Sequence, residues 1–406
     1  MEVMYERCCG IDVHKRIVVA CLKCGKKQEI REFGTNTENL RELTKWLQDS
    51  NCQMIAMEST GSYWKPLYNI FELSCLDTIV VNARDIKNVP GRKTDIKDAE
   101  WIADLLQHGL LKASYIPSRE QRELRELSRY RKSLIGERAR EINRLQKILE
   151  GANIKLANVV SDINGKSARK LLMRMIESDK EIGKEEVITM IHGRLLYKVN
   201  DIMKSLDGFL TPLQKQLMLQ VVEHIDDMTK RIEKMDNLMN SYLNEYQKAI
   251  QQLVEIPGIG RQSAETILAE TGLDMSRFPS AKHLSNWAGL APGNNESAKK
   301  RRNGKTTQGN KTLKTTLIEC AKVAVKKTDS FLHAQYQRLV VRRGKNRSTV
   351  AVAHTMLISI YHMLKDNTPF KDLGVNYYNK FNTQSKINHH LKKLEQLGYM
   401  LNIATI

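Results

Sequence analysis

The sequence predicts an α/β domain, with a mixed sheet covered by helices, followed by a mostly helical remainder. Residues 8–33 contain three short predicted strands joined by tight turns, which is typical of neighbouring antiparallel strands. Residues 36–81 then alternate helical spacing with short apolar strands. Beyond residue 119, apolar residues recur at helical intervals and the interruptions carry Gly or Pro. These three observations place the sheet in the N-terminal part of the chain.

The elements of the first domain follow in a definite order. Strands are predicted at 8–13, 17–22, 29–33, 53–57 and 78–81, and helices at 36–47, 64–73 and 95–111. The helix at 95–111 begins with acidic residues, which helix N-termini favour because their free N–H groups carry partial positive charge. Strands separated by helices in this way indicate a sheet with helices on its faces.

The rest of the chain is predicted to be helical. Residues 119–150 form one long basic helix, and residues 151–212 are broken by glycines and Pro212 and receive no assignment. From Met218 to Leu253 apolar residues recur in steps of three and four without a slip, which is the coiled-coil period. This pattern predicts either pairing with a second copy or packing inside the same chain. A second helical module follows Leu253, with a loop expected at 291–308.

Composition limits the class of protein. Of the 406 residues, 41% are hydrophobic and 27% are charged, which allows a packed core and argues against wholesale disorder. The sequence has no run of eighteen apolar residues and no basic region followed by an apolar stretch at its start, so neither a membrane span nor a secretory signal is expected. Seven cysteines, an odd number, favour a reducing cytoplasm.

The charge is unevenly distributed. Residues 1–112 carry 16 Lys or Arg and 16 Asp or Glu, so the whole net charge of +19 lies in residues 113–406. A neutral module followed by a strongly basic one predicts chemistry in the first part and polyanion binding in the second. The alternative is a protein with a high isoelectric point and no such partner.

The positions of four acidic residues predict a metal site. Asp12 and Glu58 each stand where a predicted strand ends, and Asp95 and Asp98 lie three apart at the start of a helix. Strand ends and a helix N-terminus can converge at one edge of a sheet, and Mg²⁺ prefers such hard oxygen ligands. A pair of Mg²⁺ ions can clamp the attacking and leaving oxygens of a phosphodiester. The alternatives are helix caps for Asp95 and Asp98 and a turn residue for Glu58.

These residues belong to longer motifs that resemble a known family. The motifs are Gly10-Ile11-Asp12-Val13-His14-Lys15, Met57-Glu58-Ser59-Thr60-Gly61, Asn88-Val89-Pro90-Gly91-Arg92-Lys93-Thr94-Asp95, Ile256-Pro257-Gly258-Ile259-Gly260 and Pro292-Gly293-Asn294-Asn295-Glu296-Ser297. The chain resembles the DEDD transposases of the insertion-sequence one-ten family, relatives of the Piv DNA invertase. The resemblance covers residues 8–150 and 250–365.

The resemblance implies a specific chemistry. It implies a RuvC-like, RNase H fold for the first domain, with Asp12, Glu58, Asp95 and Asp98 holding Mg²⁺. It implies that Ser297, the position matching the family serine, attacks DNA and forms a covalent phosphoserine link. It also implies an element-encoded noncoding guide RNA, double-stranded DNA at the element ends and target, and a homo-oligomer, either a dimer or a tetramer.

Basic and glycine-rich segments supply candidate nucleic-acid contacts. A basic loop can mould to a phosphate backbone, and glycines between two helices allow backbone amides to approach a phosphate closely. The candidate residues are Arg92, Lys93, Gly258, Gly260, Lys299, Lys300, Arg301, Arg302, Lys305 and Lys311. A solvated charged face and an ordinary turn are the alternatives for these segments.

The resulting hypothesis is an RNA-guided, Mg²⁺-dependent transposase in the cytoplasm of a bacterium or archaeon, associated with the nucleoid. Its predicted regions are a RuvC-like catalytic domain at 1–112, a basic helical and coiled-coil region at 113–250, a helix-hairpin-helix and serine domain at 251–370, and a tail at 371–406. Two other functions stay open: a RuvC-like endonuclease that uses water, and a catalytically silent nucleic-acid scaffold.

Overall fold

The computed structural model describes most of the chain as two compact units, Met1–Pro117 and Ser118–Ile406. The residues described are 3–59, 61–82, 95–178, 180–293, 295–297, 300–303, 306–378, 387, 391, 393, 394, 396 and 397. The side chains of 95–96, 295–297 and 300–303 lie outside the description. The finer division at residues 250 and 370 stays a prediction.

The first unit contains a five-stranded mixed sheet in the order β3-β2-β1-β4-β5. Its strands are β1 Arg7–Val13, β2 Ile17–Cys24, β3 Lys27–Gly34, β4 Met54–Glu58 and β5 Thr78–Val81. β1, β2 and β3 pair antiparallel because short turns connect them. β4 and β5 follow parallel to β1, since the chain returns through helices α1 (Thr37–Asp49) and α2 (Trp64–Leu73).

Helices cover both faces of this sheet. One face packs against α1 and α2 through residues such as Ile11, Leu43 and Phe71. The other face packs against helix α3, Asp95–Gln107, through small residues that include Ala99 and Ala103. Burial on both faces explains why β1, β2 and β4 are continuous apolar runs instead of alternating polar and apolar residues.

Gly10 allows α3 to lie directly on β1. A Cβ atom at this position would stand 2.2 Å from the amide nitrogen of Ala103 and 2.4 Å from the carbonyl oxygen of Ala99. No side chain fits into that gap, so the absence of a Cβ fixes how closely the helix approaches the strand. Asp12 lies on the same face of β1 two residues later, so the close approach of α3 also brings this helix near Asp12.

This arrangement confirms the predicted fold class. Three antiparallel strands continued by two parallel strands, with helices on both faces, form an RNase H-like α/β domain. The five strands and the helices at 37–49 and 64–73 match the predicted elements to within a few residues. The remainder is mostly helical, as predicted.

The second unit is helical apart from one short hairpin, in the part of it that the structure describes. Its helices are α4 Arg119–Gly151, α5 Leu156–Val159, α6 Lys166–Glu177, α7 Lys184–Met190, α8 Val199–Leu206, α9 Pro212–Tyr242, α10 Gln247–Val254, α11 Arg261–Thr271, α12 Ala281–Trp287, α13 Lys311–Ala324 and α14 Phe331–Asp366. None of the described helices is both long enough and apolar enough to cross a membrane.

The predicted heptad packs inside the chain. Met218, Ile225 and Ile232 of α9 are buried, and they lie in hydrophobic clusters with Leu134 and Leu145 of α4. The structure therefore provides an intramolecular partner for this apolar stripe, which is one of the two alternatives left open by the sequence.

The heptad spacing to Leu253 does not correspond to one continuous helix. Helix α9 ends at Tyr242, a short 3₁₀ turn spans Asn244–Tyr246, and Leu253 belongs to the separate helix α10. Leu243 and Tyr246 keep right-handed backbone angles, and the chain bends by tightening into a 3₁₀ turn. Such a turn needs neither glycine nor proline. The apolar spacing continues across the bend, so the sequence pattern conceals it.

Three segments differ from the sequence prediction. The loop expected at 291–308 contains a two-stranded hairpin, β6 Asn295–Ser297 and β7 Lys300–Asn303. Residues 151–212, left unassigned, form α5 to α8 around their own hydrophobic core. The first part of helix α14, residues 331–343, was not assigned to a helix from the sequence. The hairpin strands are polar and basic, so they lack the apolar alternation by which strands are recognised.

We expect Gly10→Ala to lower the free energy of unfolding by about 1–3 kcal/mol, because the new methyl group must push α3 away from β1. The measurement is a urea transition followed by circular dichroism. Gly136→Ala is the control: this glycine lies inside α4, and its Cβ would meet only Nη1 of Arg140 at 3.7 Å. The control should gain about 0.5–1 kcal/mol. A Gly10→Ala protein as stable as the parent would contradict the close packing described above.

Candidate active site

Asp12 and Glu58 stand side by side at the carboxyl ends of two parallel strands. The register of β1 and β4 pairs Gly10 with Ala56 and Ile11 with Met57, so the next pair along is Asp12 and Glu58. Neighbouring strands lie about 4.8 Å apart, and paired residues point to the same face. That face is covered by α3, because Gly10, two residues earlier, contacts it.

The N-terminal turn of α3 carries the other two predicted carboxylates. Asp95 is the first residue of the helix, and its side chain lies outside the described part of the structure. Asp98 is partly buried and acts electrostatically on Asp12. Three of the four predicted acids, Asp12, Glu58 and Asp98, are thus brought to one edge of the sheet.

Asp12 is held in an environment that disfavours its negative charge. Only 4% of its surface is exposed, and this burial raises the pKa of the carboxyl above its ordinary value. His14 opposes that effect, since its Nε2 lies 3.0 Å from Oδ2 of Asp12. The neighbouring acids Glu58 and Asp98 raise the pKa further by repulsion. A cation at this position would relieve both the burial and the repulsion.

The donor set suits a hard divalent cation. Buried carboxylate oxygens on a rigid strand are the ligands that Mg²⁺ and similar ions take in proteins. Among the described side chains, which exclude Asp95, no three His, Cys, Asp or Glu are close enough together to form a complete metal site. The described acids therefore fit part of a coordination shell, to which Asp95 remains the predicted addition.

Ser297 is the last residue of strand β6. It pairs with Lys300 of β7 across the tip of the hairpin, and residues 298–299 between them lie outside the description. Lys300, Arg301 and Arg302 all belong to β7. The backbone of the hairpin thus brings the predicted nucleophile beside three of the predicted basic residues.

A tightly packed crossing holds the base of this hairpin. Thr306 forms a bridge with Pro292, and the amide of Thr307 donates to the carbonyl of Ala291 at 3.1 Å. A Cβ at Gly309 would stand 2.4 Å from the amide nitrogen of Gly289, so only glycine lets the two chain segments cross here. Both ends of the hairpin are therefore fixed to the helical body.

Glu270 anchors the segment that follows the hairpin. It is completely buried, and its carboxylate pairs with Arg125 and bidentately with Arg129. Nδ2 of Asn310 donates to the same carboxylate at 2.6 Å, while Oδ1 of Asn310 accepts from the amide of Leu313 at the start of α13. One acid thus connects α4, α11 and the N-cap of α13.

Neither Glu270 nor the hydrogen bond between His14 and Asp12 was predicted from the sequence. The histidine was detectable, because residues two apart in a strand share a face. Glu270 gave no local signal, since its partners lie 141 and 40 residues away in the chain. An acid inside a helix otherwise looks like a solvated residue.

The remaining predicted nucleic-acid contacts are distributed as follows. Arg92, Lys93, Lys299 and Lys305 lie outside the described residues. Lys311 is exposed at the start of α13.

The two glycines between α10 and α11 differ from each other. A Cβ at Gly258 would meet the carbonyl oxygen of Cys320 at 2.3 Å, so this glycine is needed for packing against α13. Gly260 is exposed, with no neighbour of its Cβ position within 4 Å. Of the two glycines, only Gly258 is required by the packing of its neighbours.

Comparison with known proteins identifies the family. A family model described as "Transposase" matches residues 9–154, and one described as "Transposase IS116/IS110/IS902 family" matches residues 250–337. A "Probable family 20 transposase" of Pseudomonas aeruginosa is 23% identical over 89% of this chain and 94% of its own length. A "Pilin gene-inverting protein" of Moraxella bovis is 23% identical over 89% of this chain and 96% of its own.

Among solved structures, "T. thermophilus RuvC in complex with Holliday junction substrate" aligns with a TM-score of 0.21 at 10% identity, covering 27% of this chain and 99% of that one. The two family models together match more than half of the 406 residues, and they include the Asp12–Glu58 edge and the Glu270 anchor. The chain belongs to the IS110 family of transposases, enzymes of DNA recombination.

Proposed function

We propose that this transposase is Mg²⁺-dependent and cuts and rejoins DNA through a covalent phosphoserine intermediate on Ser297. The observation that carries the proposal is the pairing of two buried acids, Asp12 and Glu58, on neighbouring strands that face the acidic start of α3. Acids gathered in this way cost folding free energy, so a functional requirement explains their presence better than stability does.

Asp12, Glu58, Asp95 and Asp98 are the residues that would hold the metal. When bound, a divalent cation stabilises the negative charge that develops on a reacting phosphate. The contact from His14 to Asp12 fixes the orientation of that carboxylate. The sheet supports this arrangement because Asp12 and Glu58 belong to strands covered by helices on both faces.

Ser297 is proposed to supply the nucleophile. Its hydroxyl oxygen attacks the phosphorus of the scissile phosphodiester and loses its proton to solvent. A deoxyribose oxygen leaves and takes up a proton. One phosphate ester replaces another, so the bond energy is retained and a different DNA hydroxyl can later displace the serine. Attack by water would lose that energy, which is why a recombinase gains from a serine.

The basic residues around Ser297 are proposed to hold the DNA backbone. Lys300, Arg301 and Arg302 share its hairpin, and Lys299 and Lys305 flank them in the sequence. Their charge neutralises phosphates without reading bases. Target choice is therefore assigned to a noncoding guide RNA, and the active form to a homo-oligomer.

We expect Asp12→Asn to abolish strand cleavage while leaving the melting temperature unchanged or higher. The amide keeps the shape of the side chain and removes a charge that burial and Glu58 disfavour. Thermal denaturation with and without MgCl₂ adds a readout that needs no activity. A ligand at 100 times its dissociation constant stabilises by about 2.7 kcal/mol, so Mg²⁺ should raise the melting temperature of the parent but not that of the Asp12→Asn protein.

Asp49→Asn is the matched control, because Asp49 is exposed at the end of α1. It should keep both activity and the response to Mg²⁺. Equal stabilisation of the Asp12→Asn protein by Mg²⁺ would refute the metal site. Unchanged recombination by that protein would favour the scaffold function.

We expect Ser297→Ala to eliminate a protease-resistant protein–DNA adduct that the parent forms on a DNA substrate. The alanine lacks the oxygen that bonds to phosphorus, so no covalent species can accumulate. Denaturing gel electrophoresis of labelled DNA measures the adduct. Ser276→Ala, at an exposed serine of the same unit, should form it normally. Cleaved DNA without any adduct in the parent would establish the hydrolytic endonuclease instead.

We expect a defined RNA to copurify with the protein, because residues 113–406 carry the entire net charge of +19 and polyanions bind such surfaces. Sequencing of this RNA should reveal segments complementary to the DNA flanking the element. A copurified RNA of random sequence, removed equally by salt from all variants, would contradict a guide.

A further inference from the structure

Helix α14 contains a sharp elbow at Gly344. This residue has φ 74° and ψ 168°, a region of backbone conformation that is open almost only to glycine. Residues 331–343 and 345–366 therefore form two separate helical arms. A Cβ at Gly344 would meet nothing within 4 Å, so the glycine serves the backbone conformation and not the packing of a neighbour.

The two arms fold back toward each other. Nε2 of Gln335 on the first arm donates to Oγ1 of Thr355 on the second arm at 2.8 Å. These residues stand nine positions before and eleven positions after Gly344. At 1.5 Å per residue, the elbow projects about 14 Å beyond this contact.

The helical body holds the base of both arms. On the second arm Val352, Met356 and Ile360 are fully buried. On the first arm Leu332 is buried, and Nδ1 of His333 lies 2.6 Å from the carbonyl oxygen of Val325. The projecting part is therefore presented on a fixed support.

The tip of the elbow is exposed, and all of its charged residues are basic. All seven residues from 341 to 347 are exposed, and four of them are cations: Arg342, Arg343, Lys345 and Arg347. The sequence contains no acid between Asp329 and Asp366. None of these cations forms an ion pair with any residue that the structure describes, whereas Arg125, Arg129 and Arg131 of α4 all do.

We propose that this elbow, residues 341–347, is a binding surface for the phosphate backbone of duplex DNA. Unpaired cations without a nearby acid raise the local positive potential, and guanidinium groups match the oxygens of a phosphate. That the ligand is DNA rests on the proposed function as a DNA recombinase. α14 packs against α13, the helix that follows the Ser297 hairpin, so the elbow and the hairpin share one support.

The elbow adds to the affinity of the protein for duplex DNA without selecting a base sequence. Side chains that contact phosphates fix the position of a duplex but do not read its bases. The neighbouring Arg338 is not counted with these cations, because its guanidinium already lies 4.8 Å from the centre of the Tyr378 ring. The elbow is thus limited to the four cations at its tip.

The test is the salt dependence of DNA binding by the full chain. Fluorescence anisotropy of a labelled 30-base-pair duplex gives the binding constant at several KCl concentrations. Arg342→Gln with Arg343→Gln should weaken binding and reduce the slope of log K against log[salt] by about 1.8, since each phosphate contact contributes about 0.9. The loss should be equal on two duplexes of unrelated sequence. Arg342→Lys with Arg343→Lys should restore the slope.

Arg231→Gln with Lys234→Gln is the matched control. These residues are exposed on α9 beside the acids Asp227 and Glu233, so the same charge is removed from a balanced surface. The control should keep the slope. An unchanged slope in the elbow variant, an equal loss in the control, or a loss seen only with a structured RNA would overturn the proposal. DNA binding does not require strand exchange. The binding assay therefore tests the elbow even if the protein proves inactive as a recombinase.

Discussion

The helical unit depends on one buried carboxylate. Glu270 has no exposed surface, and a charge so completely removed from water persists only if cations and hydrogen bonds surround it. Arg125 and Arg129 of α4 and Asn310 ahead of α13 provide these partners. Removing one member of such a buried group typically costs about 3–5 kcal/mol, because the others remain uncompensated. The positions of α4, α11 and the start of α13 are thereby fixed relative to one another.

This anchor also determines what the serine hairpin can do. The hairpin itself is short and polar, with little apolar surface to fix it. Its ends are held by the Gly289–Gly309 crossing and by Asn310, whose other contact is Glu270. The backbone position of Ser297 is therefore set mainly by residues outside the proposed chemistry. A similar division exists in the first unit, where Gly10 sets the distance between β1 and α3 and leaves Asp12 at the edge.

Most of the first unit was predictable because its signals are local. Apolar runs such as 17–22 and 53–57, and the turn around Gly25, identify each strand without knowledge of its neighbours. Asp12 and Glu58 were identified as strand-end acids for the same reason. The sequence predicted only that these acids converge at one edge of the sheet. The register of β1 and β4, which pairs Ile11 with Met57, brings them next to each other, and their role as metal ligands stays a prediction. The roles of Asp95 and Ser297 stay predictions, since their side chains lie outside the described structure.

The rest was not predictable because it depends on distant contacts or on backbone angles. The bend after Tyr242 leaves the apolar spacing intact, and the elbow at Gly344 looks like a basic loop in the sequence. The strands of the hairpin at 295–303 are polar and basic, so they are recognised only by their pairing with each other and not by an apolar pattern. The close contact of Gly258 with the backbone of α13 gave no signal in the sequence, and its predicted approach to a phosphate stays a prediction.

The intramolecular pairing of α4 with α9 has a consequence for assembly. The apolar stripe of α9, with Met218, Ile225 and Ile232 at its centre, is already covered within one protomer. A second copy could contact that stripe only if α4 and α9 separated, which would expose a buried core to solvent. A zipper between subunits along these residues would therefore be a domain swap, and any dimer that leaves each protomer intact must use other surfaces.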